Sequence, residues 1–133
     1  MTTYVLDTDA VIDVLKGIKS SIELVQLLKH DGGRLATCAV VVAEIHSGIR
    51  PQDLPLAEPL LSNLDYLDTT RAAAVQAGVW RYAAARRGLA LSISDVLIAA
   101  TTAAHGAILV TANATHYPMQ GLRLLALPRG LSS

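Results

Sequence analysis

Apolar residues fall along this chain in two alternating rhythms. Tyr4-Val5-Leu6, Leu35-Ala36-Thr37 and Ile108-Leu109-Val110 are short unbroken runs with the length of buried strands. Tyr66-Leu67 is a candidate third strand, and Leu122 to Leu127 a fifth. Between these runs the apolar positions repeat at helical spacing. Val11, Ile12 and Leu15 predict a first helix, with Thr8 or Asp9 as its cap and Gly17 as its stop. Ile22, Val25, Leu27 and Leu28 predict a second that ends at Asp31-Gly32-Gly33. Ala39 to Ile49 is long enough for a helix, although Val40-Val41-Val42 alone would suit a strand. Pro51, Pro55 and Pro59 predict a loop and a short or broken helix. Alanine-rich Thr70 to Arg87 predicts a long helix stopped by Gly88. Ser92 and Ser94 announce another, apolar on nearly every side from Val96 to Ala100, with His105 in its last turn and Gly106 beyond.

Apolar strands alternating with helices predict an α/β fold, a mostly parallel central sheet flanked by helices on both faces. In such sheets ligands bind beyond the carboxyl ends of the strands. Asp7, Cys38 and Thr111 each follow a predicted strand end, so that edge is where chemistry is expected.

Composition narrows the picture further. A length of 133 residues corresponds to a single domain, residues 1–133. With 52% hydrophobic and only 17% charged residues, intrinsic disorder is excluded. So apolar a small domain is expected to be an oligomer or to keep a permanent partner. The formal net charge is zero, so any affinity for nucleic acid must come from local clusters. Arg81, Arg86 and Arg87 form one such cluster, which reads equally well as a solvated helix face. Trp80 and Tyr82 are expected as core or dimer contacts rather than as stacking platforms. The one cysteine, Cys38, excludes an internal disulfide and fits a reducing cytoplasm. The opening residues Met1 to Leu6 lack the basic and long apolar pattern of a secretion signal. Val96 to Val110 is interrupted by Thr101, Thr102, His105 and Gly106, and so falls short of the ~20 apolar residues that span a membrane.

Four carboxylates stand beside apolar runs. Asp7 ends the first strand, Asp9 follows it, Glu44 interrupts a row of valines and Asp95 opens the most apolar helix. Burying a carboxylate costs several kcal/mol unless it is paired, metal-bound or protonated. Each has an ordinary reading: Asp7 as a turn residue, Asp9 as a helix cap, Asp95 as an acid favoured by the helix dipole, Glu44 as an exposed helix residue. Together they read as ligands of a hard divalent cation such as Mg²⁺, which prefers oxygen donors and promotes hydrolysis of phosphodiesters.

Val5 to Asp13, Ala43-Glu44-Ile45 with Gly48, Ser94 to Thr101, and Leu109 to Asn113 with His116-Tyr117-Pro118 form an ordered set spread over residues 5 to 118. In that set the chain resembles the PIN-domain ribonucleases, and among them the VapC-type toxins of prokaryotic toxin–antitoxin pairs. The resemblance implies a PIN-like three-layer sandwich and an endoribonuclease that hydrolyses RNA. It implies a Mg²⁺ or Mn²⁺ site at Asp7, Asp95 and Glu44, with Glu44 binding the ion or holding a water. It also implies a cognate antitoxin partner, one segment of which would set an arginine against the carboxylates, and a homodimer. Many PIN domains carry a further acid in the last motif, where this chain has Asn113 and His116. One firmly bound ion is therefore expected, with a second recruited along with substrate. Asn113 could coordinate through its carbonyl oxygen, Thr111 could hydrogen-bond Asp7 or the scissile phosphate, and Asp9 could supply the missing charge. His116 suits either a phosphate contact or a loop cap.

Two other readings fit some of these residues. The run Asp7-Thr8-Asp9-Ala10-Val11 is similar to the first motif of haloacid-dehalogenase-type phosphatases. That family also needs a late lysine and a later acidic pair; here the only lysines are Lys16, Lys19 and Lys29, and no acid follows Asp95. A non-catalytic RNA- or protein-binding domain with a vestigial metal site is the second. The arginines Arg50, Arg71, Arg81, Arg86 and Arg87 are the candidates for an RNA groove.

Overall fold

The computed structural model describes residues 1–128 and alternates strands with helices as the pattern predicts. The strands are β1 (Thr3–Leu6), β2 (Arg34–Cys38), β3 (Asp65–Leu67), β4 (Ile108–Thr111) and β5 (Arg123–Ala126). The helices are α1 (Thr8–Leu15), α2 (Lys19–His30), α3 (Ala39–Gly48), α4 (Leu54–Ser62), α5 (Arg71–Arg86) and α6 (Ile93–Ala104). Two short 3-10 turns, Pro51–Asp53 and Ala114–His116, complete the set. Residues 129–133, included in the expected domain 1–133, lie outside the described residues.

The strands form one sheet in the order β3-β2-β1-β4-β5, and all four pairings are parallel, beyond the mostly parallel sheet expected. The chain starts in the middle, builds outward through β2 to β3, then returns past β1 to lay down β4 and β5. The strand order therefore reverses beside β1, and ligands in open α/β sheets bind at such a switch point. Val5 and Leu6 in β1 and Leu109 and Val110 in β4 have no exposed surface, because this seam lies at the centre of the core. Helices α1 and α6 touch β4, while α2 and α3 touch β2.

The valine run from Val40 to Val42 resolves as helix, since Val41 and Ile45 are buried one turn apart. The proline-rich middle is one 3-10 turn running into α4, with Pro55 in its first turn and Pro59 inside it. His105 caps the C-terminus of α6 instead of lying in its last turn. Among the described residues, no helix is long and apolar enough to cross a membrane.

Gly33 marks the tightest backbone approach. A Cβ there would lie 2.7 Å from the Leu28 carbonyl oxygen and 2.7 Å from Cε2 of Tyr4. At Gly48 an added Cβ meets no heavy atom within 4 Å. In urea unfolding, Gly33→Ala is expected to lose about 1–3 kcal/mol of stability. Gly48→Ala is expected to be neutral or to gain up to about 1 kcal/mol. Equal effects at the two positions would contradict this packing.

Candidate active site

The turn that leaves β1 supplies Asp7, the segment after β4 supplies Tyr117, and α6 brings Asp95 against them. Asp7 follows β1 directly and, rather than Thr8 or Asp9, caps α1: its Oδ1 accepts from the Ala10 N–H at 2.8 Å. The extended backbone of Asp7 explains the correction, because the last strand residue's successor is also the residue that turns the chain into the helix. Thr8 and Asp9 are thereby free for other contacts. The Thr8 hydroxyl donates to Oε1 of Glu44, and Asp9 Oδ2 accepts from the Asn113 side-chain amide.

Asp7 is 2% exposed, and its second oxygen faces the hydroxyl of Tyr117 at 3.2 Å. The same hydroxyl lies 3.4 Å from Oδ1 of Asp95. Asp95 stands in the first turn of α6, whose cap is Ser92, and its side chain is 24% exposed. Its Oδ2 is 3.7 Å from Nδ1 of His116. The Tyr117 hydroxyl thus contacts both aspartates, Asp7 from the end of β1 and Asp95 from α6. Sequence reasoning placed Tyr117 only inside a motif; nothing in periodicity or composition signals a bridging hydroxyl. Thr111, fully buried at the end of β4, hydrogen-bonds Asp7 as expected, and its Oγ1 also accepts from the Asn113 N–H at 2.9 Å.

Glu44 and Asp9 are half-buried at the rim, each tied to its neighbour. Among the described residues no three acidic, histidine or cysteine side chains close together around one ion as they stand. The donor chemistry still fits a hard cation: every group is an oxygen donor, and Asp7 and Asp95 converge on one hydroxyl. Among the described residues, no lysine or arginine forms an ion pair with Asp7, Asp9, Glu44 or Asp95. Lys16, Lys19 and Lys29 are all exposed on α1, α2 or the turn between them, so the lysine that a phosphatase of the haloacid-dehalogenase type needs is missing from the site.

Two cavities adjoin the acids. A groove of about 420 Å³ runs past Asp95 and His116 and is walled by Leu89, Leu91, Ser92 and Pro118. An apolar cleft of about 510 Å³ lies between α1, α3 and α4, lined by Ile12, Leu15, Ile45, Ile49 and Leu56, with Glu44 at its edge. Of the candidate RNA-groove arginines, Arg81 binds the Leu91 carbonyl at 2.9 Å and so borders the first groove. Arg50 pairs instead with Asp53, and Arg86 lies 4.5 Å over the ring of Tyr82. Tyr82 itself is 62% exposed and no part of the core, whereas Trp80 packs partly buried against it.

Burial pushes the Asp7 carboxyl up to about 6, helped by the charge of Asp9 and opposed by the hydrogen bonds from Thr111, Ala10 and Tyr117. Native Asp7 therefore holds its proton more tightly than the unfolded chain does. Stability falls as pH rises from about 3.8 toward 6, and the ionised group costs about 3 kcal/mol above that range. Asparagine keeps the cap without the charge. With chelator present at pH 7.5, Asp7→Asn is expected to unfold at a higher temperature than the native protein. The advantage should fade by about pH 4; a less stable variant at pH 7.5 would contradict the assigned cause.

The PIN domain pattern matches residues 4–120. "Ribonuclease VapC19" of Mycobacterium tuberculosis is 31% identical over 116 residues, covering 86% of this chain and 91% of that protein. "Ribonuclease VapC2" of Haemophilus influenzae is 29% identical over 118 residues, covering 85% and 88%. The crystal structure of VapBC2 from Rickettsia felis, bound to a DNA fragment from their promoter, superposes with a TM-score of 0.84. It is 25% identical and covers 94% of this chain and 98% of its own. The parallel fold, the matched span and these relatives agree: the chain belongs to the PIN-domain family, in its VapC branch.

Proposed function

We propose that this protein is a metal-dependent endoribonuclease and the toxin of a toxin–antitoxin pair. The observation that carries the reading is the convergence of Asp7 and Asp95 on one hydroxyl at the switch point, with no lysine or arginine paired to either among the described residues. Such a pair attracts a cation. Asp7 and Asp95 would hold Mg²⁺ or Mn²⁺, with Glu44 as a further ligand and Asn113 at the edge. When bound, such an ion offsets the charge that builds on phosphoryl oxygens and lowers the pKa of water.

The chain's own residues do the rest. The cap and Thr111 fix the Asp7 carboxylate, and Asn113 orients Asp9. Glu44, anchored through one oxygen by Thr8, presents the other to orient a water. His116, exposed beside the groove at Asp95, contacts phosphate. One ion is held firmly, because Asn113 and His116 bring no additional negative charge at neutral pH. A cytoplasmic location suits an RNA substrate and the single free cysteine, Cys38. The rival reading, a binding domain with a vestigial site, rests on the same two residues standing where an acid was expected.

A permanent partner suits the cleft beside Glu44, where Leu56 is 70% exposed and an apolar helix face can be buried. The antitoxin fills this cleft and sets an arginine against the acids. The homodimer uses a different surface: Val75, Val79 and Tyr82 form an exposed apolar stripe one and two turns apart on α5.

Cleavage of total RNA by purified protein tests the main reading. Discrete fragments that require Mg²⁺ or Mn²⁺ are expected, with activity lowered about 100-fold or more in Asp7→Asn and Asp95→Asn. Equal cleavage by wild type and variants would mean a contaminant; no cleavage by folded wild type with metal would favour the binding domain. Sedimentation separates the two surfaces. Val79→Asp is expected to yield monomers that still bind antitoxin, and Leu56→Asp dimers that bind it more weakly. A dimer unchanged by Val79→Asp, or antitoxin binding unchanged by Leu56→Asp, would reject the corresponding surface.

A further inference from the structure

The hydroxyl of Tyr117 has an unusual position for a group with one proton. It lies 3.2 Å from Asp7 Oδ2 and 3.4 Å from Asp95 Oδ1, both longer than the 2.7–2.8 Å usual for O–H···O bonds. One donor is therefore shared between two acceptors, and neither bond is at full strength. The ring is held firmly: Tyr117 is 4% exposed, and its backbone N–H donates to the Ala114 carbonyl at 3.0 Å. Pro118 follows and disfavours a helical backbone at Tyr117, whose φ is −128° and ψ 66°.

The two aspartates differ in their freedom. Asp7 is pinned through Oδ1 by the cap of α1 and through Thr111. Asp95 has a backbone contact to Ser92, but its carboxylate touches only Tyr117 on one side and His116 on the other among the contacts described. It is also the more exposed of the two. With the hydroxyl removed, two like charges face one another across the gap. Asp95 is then free to turn outward to His116 and solvent.

We propose that Tyr117 is a positioning residue: its hydroxyl holds the Asp95 carboxylate turned inward toward Asp7, so that both acids are available to one divalent cation. The hold is weak by its geometry, one proton over two long bonds, so the carboxylates would give it up on taking a divalent cation. This role rests on the metal-site reading above and adds a residue to it. It also explains how a buried and a half-buried acid coexist without a cation, since the neutral phenol supplies the one donor they share.

Calorimetric titration of the metal-free protein with Mn²⁺, compared with Tyr117→Phe, tests the role. Phenylalanine keeps the ring and its packing and deletes one oxygen; near-ultraviolet circular dichroism checks that the fold is retained. The variant is expected to bind Mn²⁺ about 10- to 100-fold more weakly. In RNA cleavage its kcat should fall with KM for RNA unchanged, a split that loss of general stability would not produce. Equal or tighter Mn²⁺ binding with unchanged kcat overturns the proposal and leaves the metal site standing. Absence of Mn²⁺ binding in the wild type overturns both. A second readout uses the wild type alone. Tyr4, Tyr66 and Tyr82 lie on other elements, so Mn²⁺ should perturb the tyrosine absorption through Tyr117. A flat difference spectrum at saturating Mn²⁺ overturns the proposal even if the phenylalanine variant does not fold.

Discussion

Asp7 stands where three demands meet. It ends the central strand of the sheet, it supplies the side chain that starts α1, and it is enclosed almost completely by the core. The first two demands fix the backbone and one carboxylate oxygen. The third makes the charge on the other oxygen expensive, because a carboxylate loses its water on burial and only partly regains it from protein donors. Thr111, the Ala10 N–H and Tyr117 each return some of that stabilisation, and the neighbouring charge of Asp9 takes some away. The arrangement leaves a residual deficit at neutral pH.

That deficit gives the remaining acids their meaning. Asp95 approaches from α6, Glu44 from α3 and Asp9 from the first turn of α1, yet among the described residues none of the four is given a lysine or arginine partner. Natural cores avoid such unbalanced charge unless something outside the chain balances it. A buried carboxylate such as Asp7 is destabilising by itself at neutral pH. The apolar surfaces follow the same logic at larger scale. The cleft at Leu56 and the stripe along α5 leave hydrocarbon exposed to solvent.

Much of this was legible along the chain. The five strands and five of the six helices lay where apolar runs, helical spacing or alanine content put them, to within a few residues, whereas α4 was expected only as a short or broken helix among prolines. The fold class followed from their alternation, and the carboxyl-end rule pointed to Asp7 and Thr111 before any contact was known. Asp95 and Glu44 stood out as acids set among apolar neighbours. The cap of α1 did not: Asp7, Thr8 and Asp9 are equally good caps by residue type, and only the backbone at the end of β1 chooses among them.

What sequence alone determined was the set of elements, their alternation into a parallel sheet and which acids stand beside apolar runs, all consequences of short-range pattern. What only the tertiary structure decided was how those acids face one another. Asp7, Asp95 and Tyr117 are brought together by the return of the chain past β1, a long-range event that no local period encodes. The same packing turned Glu44 toward Thr8, paired Asn113 with Asp9 and set His116 beside Asp95. The direction of a side chain depends on neighbours distant in sequence, and those neighbours are known only once the sheet has closed its core around them.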